Sequence, residues 1–390
     1  MTRIAIPEDS PFGLANLPYG VFSTPGTEPR VGVRAANVVV DLAEALGDDV
    51  FARPSLNAFM EQGHERWVEV REQVLDLVTD EVPGSAVHPV GAVTTHLPIE
   101  IADYVDFYAS EHHASNLGRL FRPDSEPLLP NWKHLPVGYH GRAGTVVVSG
   151  TDIVRPSGQR KAPDEPSPSY GPCRRLDIEA EVGFIVGTGS PLGTPVAADD
   201  FHERVFGVVL VNDWSARDVQ AWEYVPLGPF LGKSFATSIS PWVVPLLALE
   251  AARVPTPPQS PEPLPYLRET NPWGLDIDLV IEWNGQVVSR PPYREMYWSP
   301  AQMLAHLTAN GASSRTGDLF ASGTVSGPLK SERGAFIELT WGGKEPIEVQ
   351  GEKRAFLEDG DEVVISATAP GPFGTRVGFG EVRGRVLPAR

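Results

Sequence analysis

Four carboxylates in three separate stretches have the types and spacing of one metal site. They are Asp106 in DFY, Glu179 and Glu181 in LDIEAEVGF, and Asp213 in VVLVNDWSARD. In an extended strand, side chains alternate faces and each residue advances about 3.3 Å. Glu179, Glu181 and Gly183 then share one face, and Ile178, Ala180 and Val182 the other. Two carboxylates about 7 Å apart on a strand with an apolar opposite face repel each other unless a cation lies between them. Hard oxygen ligands of this kind suit Ca²⁺ or Mg²⁺ better than zinc. On spacing alone, an ordinary half-exposed strand with two solvated glutamates is the alternative.

Asp213 weighs towards the metal. It follows the continuous apolar run Val208-Val209-Leu210-Val211, the pattern of a strand covered on both faces. Ser215 with Asp218 then has the form of a capping box opening a helix. On that helix Arg217, Gln220 and Tyr224 fall on one side. Of nine histidines, His113 is the most suggestive. If Ser110 caps a helix, His113 lies in its first turn, just after an extended segment in which Asp106 and Tyr108 share a face. His112 points about 100° away around the helix. His134 and His140 remain competitors from pattern alone.

The elements that must position these residues belong to a large, turn-rich chain. Its 390 residues are enough for two domains and a sizeable core. The 39 prolines and 38 glycines imply many turns and a β-rich fold. Cys173 is the single cysteine, which excludes an intrachain disulfide and a thiolate cluster. No nucleophile motif surrounds it, so it reads as structural. A net charge of −18 argues against nucleic acid or an anionic membrane as partner. No apolar stretch approaches a membrane span, and MTRIAIPEDS lacks a signal peptide's apolar core, so a cytoplasmic protein is expected.

Residues 1–95 combine short strands (Val21-Phe22, Val31–Val33, Val38–Val40) with helices, one beginning at Ser55 and another near His64–Leu77. Val82–Pro98 reads as a connecting segment. In residues 96–390 strands dominate. Leu275–Trp283 and Gln286–Ser289 flank Asn284-Gly285, a two-residue hairpin signal. Ser299-Pro300 starts a helix that Gly311 ends. Phe336–Trp341, Glu362–Ser366 and Val377–Arg383 complete the strand-rich final stretch. Two proline-rich stretches, Arg155–Pro172 and Val254–Pro265, read as long loops. The first is either a lid over the site or a surface insertion.

With these residues in hand, the chain resembles the fumarylacetoacetase (fumarylacetoacetate hydrolase) family almost end to end. The resemblance is carried by NLPYGVFST (16–24), DFYASEHHASN (106–116), GRLFRP (118–123) and LLPNWKHLPVGYHGR (128–142). It continues in LDIEAE (176–181), NDWSARDVQAWEYVPLGPFLGKSF (212–235), SGTVSGP (322–328) and FIELTW (336–341). Ala236 stands where the family has glycine, a departure of one methyl group close to the metal region.

The resemblance implies a mostly β protein. A small N-terminal SH3-like barrel (1–95) would precede a larger C-terminal domain of rolled mixed β-sheets (96–390), with the chain acting as a homodimer. It implies metal ligation by Asp106, Glu179, Glu181 and Asp213, with a second Mg²⁺ near Asp213, Lys233 and Thr237. His113 would be the general base oriented by Glu338, and Arg217, Gln220 and Lys233 would stabilise developing negative charge. Tyr108, Arg122, Tyr139, Gln220, Tyr224 and Thr324 would contact a small dianionic substrate.

The implied reaction is hydrolysis of the carbon–carbon bond of 4-fumarylacetoacetate to fumarate and acetoacetate, closing tyrosine and phenylalanine breakdown. The alternatives are an acylpyruvate hydrolase, a decarboxylase or an isomerase of the same superfamily, or a protein that keeps the metal for structure alone. The fumarylacetoacetase-length motifs weigh against a different superfamily activity. The joint presence of His113, Glu338, Arg217, Gln220 and Lys233 weighs against a silent site, which needs none of them.

Overall fold

The computed structural model describes residues 1–390. One 13-stranded mixed sheet runs through it. Its strands are β1 (Tyr19–Ser23), β2 (Arg30–Ala35), β3 (Val38–Asp41), β4 (Val87–Pro89), β5 (Thr94–His96), β6 (Tyr104–Phe107) and β7 (Gly138–His140). They continue with β8 (Val146–Val148), β9 (Ala180–Val186), β10 (Val205–Asp213), β11 (Thr237–Ile239), β12 (Trp242–Pro245) and β13 (Leu319–Ala321). The order is β4-β3-β2-β1-β12-β10-β9-β13-β6-β7; β5 pairs with β1, and β11 bridges β10 and β8.

The alternation read in the sequence decides what each face of this sheet touches. In β9 and the residues before it, Ile178, Ala180, Val182 and Phe184 enter the larger core, while Ile185, in phase with Glu181 and Gly183, enters the smaller one. In β10, Val208 and Leu210 face the larger core, and Val209 and Val211 the smaller. The smaller core is closed by N-terminal residues, among them Val31, Val33 and Phe59, and by Trp67, Val70, Val74 and Val78 of α1 (His64–Thr79). Every residue of β10 is buried, as its apolar run predicted.

The N-terminal strands do not close into the expected barrel. They form an open run whose inner edge pairs with the rest of the sheet, β1 with β12 (Tyr19 opposite Val243). The segment Val82–Pro98 is not a plain connection. It holds β4 and β5, three-residue strands that exist only by pairing with β3 and β1. A five-stranded sheet covers the other side, ordered Gln286–Ser289, Asp278–Trp283, Glu362–Pro370, Arg376–Leu387, Ile153–Val154. The Asn284-Gly285 hairpin forms as read, with φ of 50° and 78°, the positive values a type I′ turn requires.

The helix α2 (Glu111–Phe121) starts on Ser110, whose hydroxyl accepts from the His113 amide. Helix α3 (Arg217–Glu223) starts one residue later than its capping-box reading. Ser215 Oγ donates instead to the Asp213 carbonyl, and Asp218 accepts from Cys173 Sγ and the Arg174 amide. Helix α4 (Pro300–Thr308) has the Ser299–Gln302 capping box. Residues 155–172 are not a plain loop but carry a two-stranded ribbon, Ser157–Arg160 against Ser169–Pro172, joined through residues 161–168. Gln159 on this ribbon accepts from Trp222 Nε1 of α3. The stretch Phe336–Trp341 is not a strand but begins with a helical turn, α5 (Phe336–Leu339). No helix is long and apolar enough to cross a membrane.

Candidate active site

Sheet register assembles the acidic cluster. Asp106 on β6 lies opposite Ala321 of β13 and Tyr139 of β7. Glu181 on β9 lies opposite Val211, and Asp213, ending β10, lies opposite Thr237 of β11. Glu179 immediately precedes β9, and its carbonyl accepts from the Asp213 amide at 3.1 Å. The four carboxylates converge so that one oxygen from each lies within 4.8 Å of the others, and all four residues are buried.

Only two cations, Lys233 and Arg217, stand against five buried carboxylates, and they pair with three of them, Asp177, Glu179 and Asp213, leaving Asp106 and Glu181 without an ion pair. Lys233 Nζ donates to Glu179 Oε2 (2.5 Å) and Asp213 Oδ2 (2.6 Å), and Thr237 Oγ1 to Asp213 Oδ1 (3.1 Å). Arg217 pairs with Glu179 Oε1 (2.7 Å) and Asp177 Oδ2 (2.8 Å). Burial pushes Glu179 up, but Lys233 and Arg217 outweigh it and hold this carboxyl well below its usual range. Asp106 and Glu181 lie well above theirs, first through burial and then through neighbouring carboxylates.

Both oxygens of Glu181 and Oδ1 of Asp106 are buried without any protein partner. Orphaned carboxylate oxygens of this kind cost free energy unless a cation takes them. The donor set fits a hard divalent ion. The Lys233 ammonium offers no lone pair, so its side chain counterbalances the cluster without ligating a metal.

His113 sits in the first turn of α2, where its Nδ1 lies 2.7 Å from Glu338 Oε2. Glu338 is fully buried and also accepts from Asn116 Nδ2 (2.9 Å) and Ser326 Oγ (2.9 Å). Burial pushes this carboxyl up, but His113, Asn116 and Ser326 outweigh it and hold it below its usual value. An ionised Glu338 only accepts, so the ring proton belongs on Nδ1 and Nε2 keeps its lone pair. His112 is half-exposed, 3.6 Å from Glu295. His140 is mostly exposed beside Asp103.

A cavity of about 530 Å³ brings His113, Asp106, Glu179 and Lys233 together with Tyr108, Arg122, Tyr139, Gln220, Tyr224 and Thr324. Arg122 Nη2 donates to the Pro127 carbonyl (3.0 Å), while its buried Nε and the buried Thr324 hydroxyl have no protein partner. Gly118 makes this placement possible. A Cβ there would fall 1.9 Å from the Pro127 carbonyl oxygen, so only glycine lets the 122–127 turn fold back onto α2. Arg217 does not line the cavity. It lies behind the wall, where its Nη1 donates to Oε1 of Gln220 (3.1 Å), a residue that does line the cavity. Ala236 packs into the larger core, which has room for its methyl group.

Sequence reasoning missed Asn116, Ser326 and Asp177. Asn116 follows His113 by one helical turn, so the i, i+3 spacing held a signal. Asp177 is in phase with Glu179 and Glu181, and the D-x-E-x-E alternation was legible. Ser326, from a distant loop, gave none.

Fold and site together define an enzyme on mixed β-sheets, with a buried carboxylate cluster that could hold a metal ion beside a cavity lined by His113 of a His–Glu pair. The fold is shared with a fumarylacetoacetate hydrolase from psychrophilic Exiguobacterium antarcticum (TM-score 0.60, 19% identity, 96% of this chain and 100% of that one). It is also shared with maleylpyruvate hydrolase from Sphingobium sp. SYK-6 (TM-score 0.56, 14% identity, 95% and 100%). Residues 103–387 match the fumarylacetoacetate hydrolase C-terminal family and residues 15–98 the fumarylacetoacetase N-terminal family. The chain is 47% identical to the fumarylacetoacetase of Homo sapiens over 416 residues, taking in 100% of this chain and 99% of that protein. It is 46% identical to that of Caenorhabditis elegans over 413 residues, with 99% of each covered. The chain belongs to the fumarylacetoacetate hydrolase family.

Proposed function

We propose that this protein hydrolyses 4-fumarylacetoacetate to fumarate and acetoacetate, the closing step of tyrosine and phenylalanine breakdown. One observation carries the reading: His113, oriented by Glu338, lines the same cavity as Asp106 and Glu179 of the buried four-carboxylate cluster, in which Asp106 and Glu181 carry orphaned oxygens. Asp106, Glu179, Glu181 and Asp213 would hold Ca²⁺ or Mg²⁺. Such an ion supplies a positive charge against which a departing enolate oxygen is stabilised.

The chain's own groups do the rest. His113 Nε2 takes a proton from water as the oxygen attacks the fumaryl carbonyl, and Glu338 stabilises the imidazolium formed. The bond between that carbonyl carbon and the adjacent methylene then breaks, the electron pair leaves as the enolate of acetoacetate, and the imidazolium returns the proton. Gln220 and Lys233 donate to the developing oxyanion, with Arg217 holding Gln220 from behind. Arg122 pairs with the fumaryl carboxylate, assisted by the hydroxyls of Tyr108, Tyr139, Tyr224 and Thr324. Arg122 and Lys233 place positive charge on the cavity wall for a dianion inside a chain of net charge −18.

The reading includes a cytoplasmic homodimer. The test follows fumarate and acetoacetate together. Equal release of both from fumarylacetoacetate is the expected result, and preference for an acylpyruvate would transfer the chain to a related activity.

A further inference from the structure

Asp177 is fully buried and touches neither the cavity nor the carboxylate cluster's orphaned oxygens. Its carboxylate nevertheless accepts four hydrogen bonds. Oδ1 takes the amides of Ile178 (2.8 Å) and Phe336 (2.8 Å). Oδ2 takes the amide of Ile337 (3.0 Å) and Arg217 Nε (2.8 Å). The Phe336 and Ile337 amides are orphan donors opening α5, the turn that carries Glu338. Arg217, on the other arm, grips Glu179 and Gln220. One carboxylate thus joins the group that orients the base to the group that holds the oxyanion donor.

We propose that Asp177 is a positioning residue that fixes Arg217 and the Glu338-bearing turn in register with each other. The proposal rests on the hydrolytic reading above. It makes a sharp demand on chemistry: all four partners are donors, so Asp177→Asn sets an NH₂ group against a donor whichever way the amide is turned. Displacement of two supporting groups is expected to lower kcat about tenfold to a hundredfold. KM should stay within about threefold, because no substrate contact is removed.

The deciding test is a double-mutant cycle with Arg217→Met, combined with hydrogen exchange at the Phe336 and Ile337 amides. If Asp177 acts through Arg217 and α5, the double variant falls below Arg217→Met by less than Asp177→Asn falls below wild type, and both amides lose protection. Multiplicative losses, unchanged kcat, or a loss that merely tracks the folded fraction would overturn the proposal. Should Asp177→Asn not fold, Asp177→Glu and Asp177→Ser carry the same cycle. Failure of all three to fold makes the residue structural and likewise overturns it. If wild-type protein leaves fumarylacetoacetate intact while the amides still lose protection in the variant, the assigned reaction fails and the coupling of Asp177 to α5 stands.

Discussion

At His113 and His112 the same residue type, one position apart, meets opposite environments. The first is buried against an ionised glutamate; the second stands half in solvent. His113→Ala is expected to cost on the order of 10²–10⁴ in rate, while His112→Ala stays near wild type. Equal losses in steady-state kinetics would mean that the base is misassigned. Glu338→Gln should lower kcat more than it raises KM. Arg122 lines the cavity with no acidic partner in the protein, and on the proposed reading it meets a substrate carboxylate. Arg122→Met should depress kcat/KM for fumarylacetoacetate far more than for a neutral diketone without that carboxylate. An unchanged ratio between the two substrates would remove Arg122 from the site. The cluster was readable from the sequence because alternation places Glu179 and Glu181 on one face. Of the partners of Glu338, Asn116 left a signal one helical turn after His113, whereas Ser326 reaches it by folding and not by spacing.

Elements whose cause is local were legible. The Asn284-Gly285 turn and the Ser299-Pro300 helix start carry their own instructions, positive φ in one case and a capping box in the other. Ser299→Ala should therefore destabilise the protein by about 1 kcal/mol, measured by denaturant unfolding, without altering KM. No change in stability would mean that solvent satisfies the first turn of α4 equally well. The failures have remote causes. FIELTW alternates like a strand, yet Asp177, some 160 residues earlier, accepts the Phe336 and Ile337 amides and fixes a helical turn instead. Ser215-x-x-Asp218 looks like a cap, but Cys173 and Arg174 claim Asp218.

Across the whole molecule, an ion held by the acidic cluster would be coupled to stability and pH. Asp106 and Glu181 have folded-state pKa values raised, chiefly by burial, above the ordinary 3.8 and 4.5. From those ordinary values upward to the raised ones, the metal-free folded chain binds more protons than the unfolded chain, so their contribution to stability falls as pH rises. Cation binding needs both groups ionised and therefore strengthens with pH. The stabilisation by Ca²⁺ should grow as pH rises above the ordinary carboxylate values towards the raised ones. At free Ca²⁺ one hundred times Kd it should reach about 2.7 kcal/mol. An increment that shrinks with pH in calorimetry would argue that these carboxylates do not hold the ion.

The pairing of β1 with β12 bears on how this chain can be cut. Two family matches, 15–98 and 103–387, suggest a seam between separable halves. Cleavage there would strip β12, whose four residues are all buried, of the neighbour along its edge. It would also uncover Val209, Val211 and Ile185 on the face that continues to Glu181 and Asp213. An unpaired apolar edge recruits other chains. Residues 99–390 expressed alone should therefore aggregate, and adding residues 1–98 in trans during refolding should suppress the aggregation, as light scattering would record. Where a boundary drawn from sequence families falls across a continuous sheet, inheritance and folding have different units.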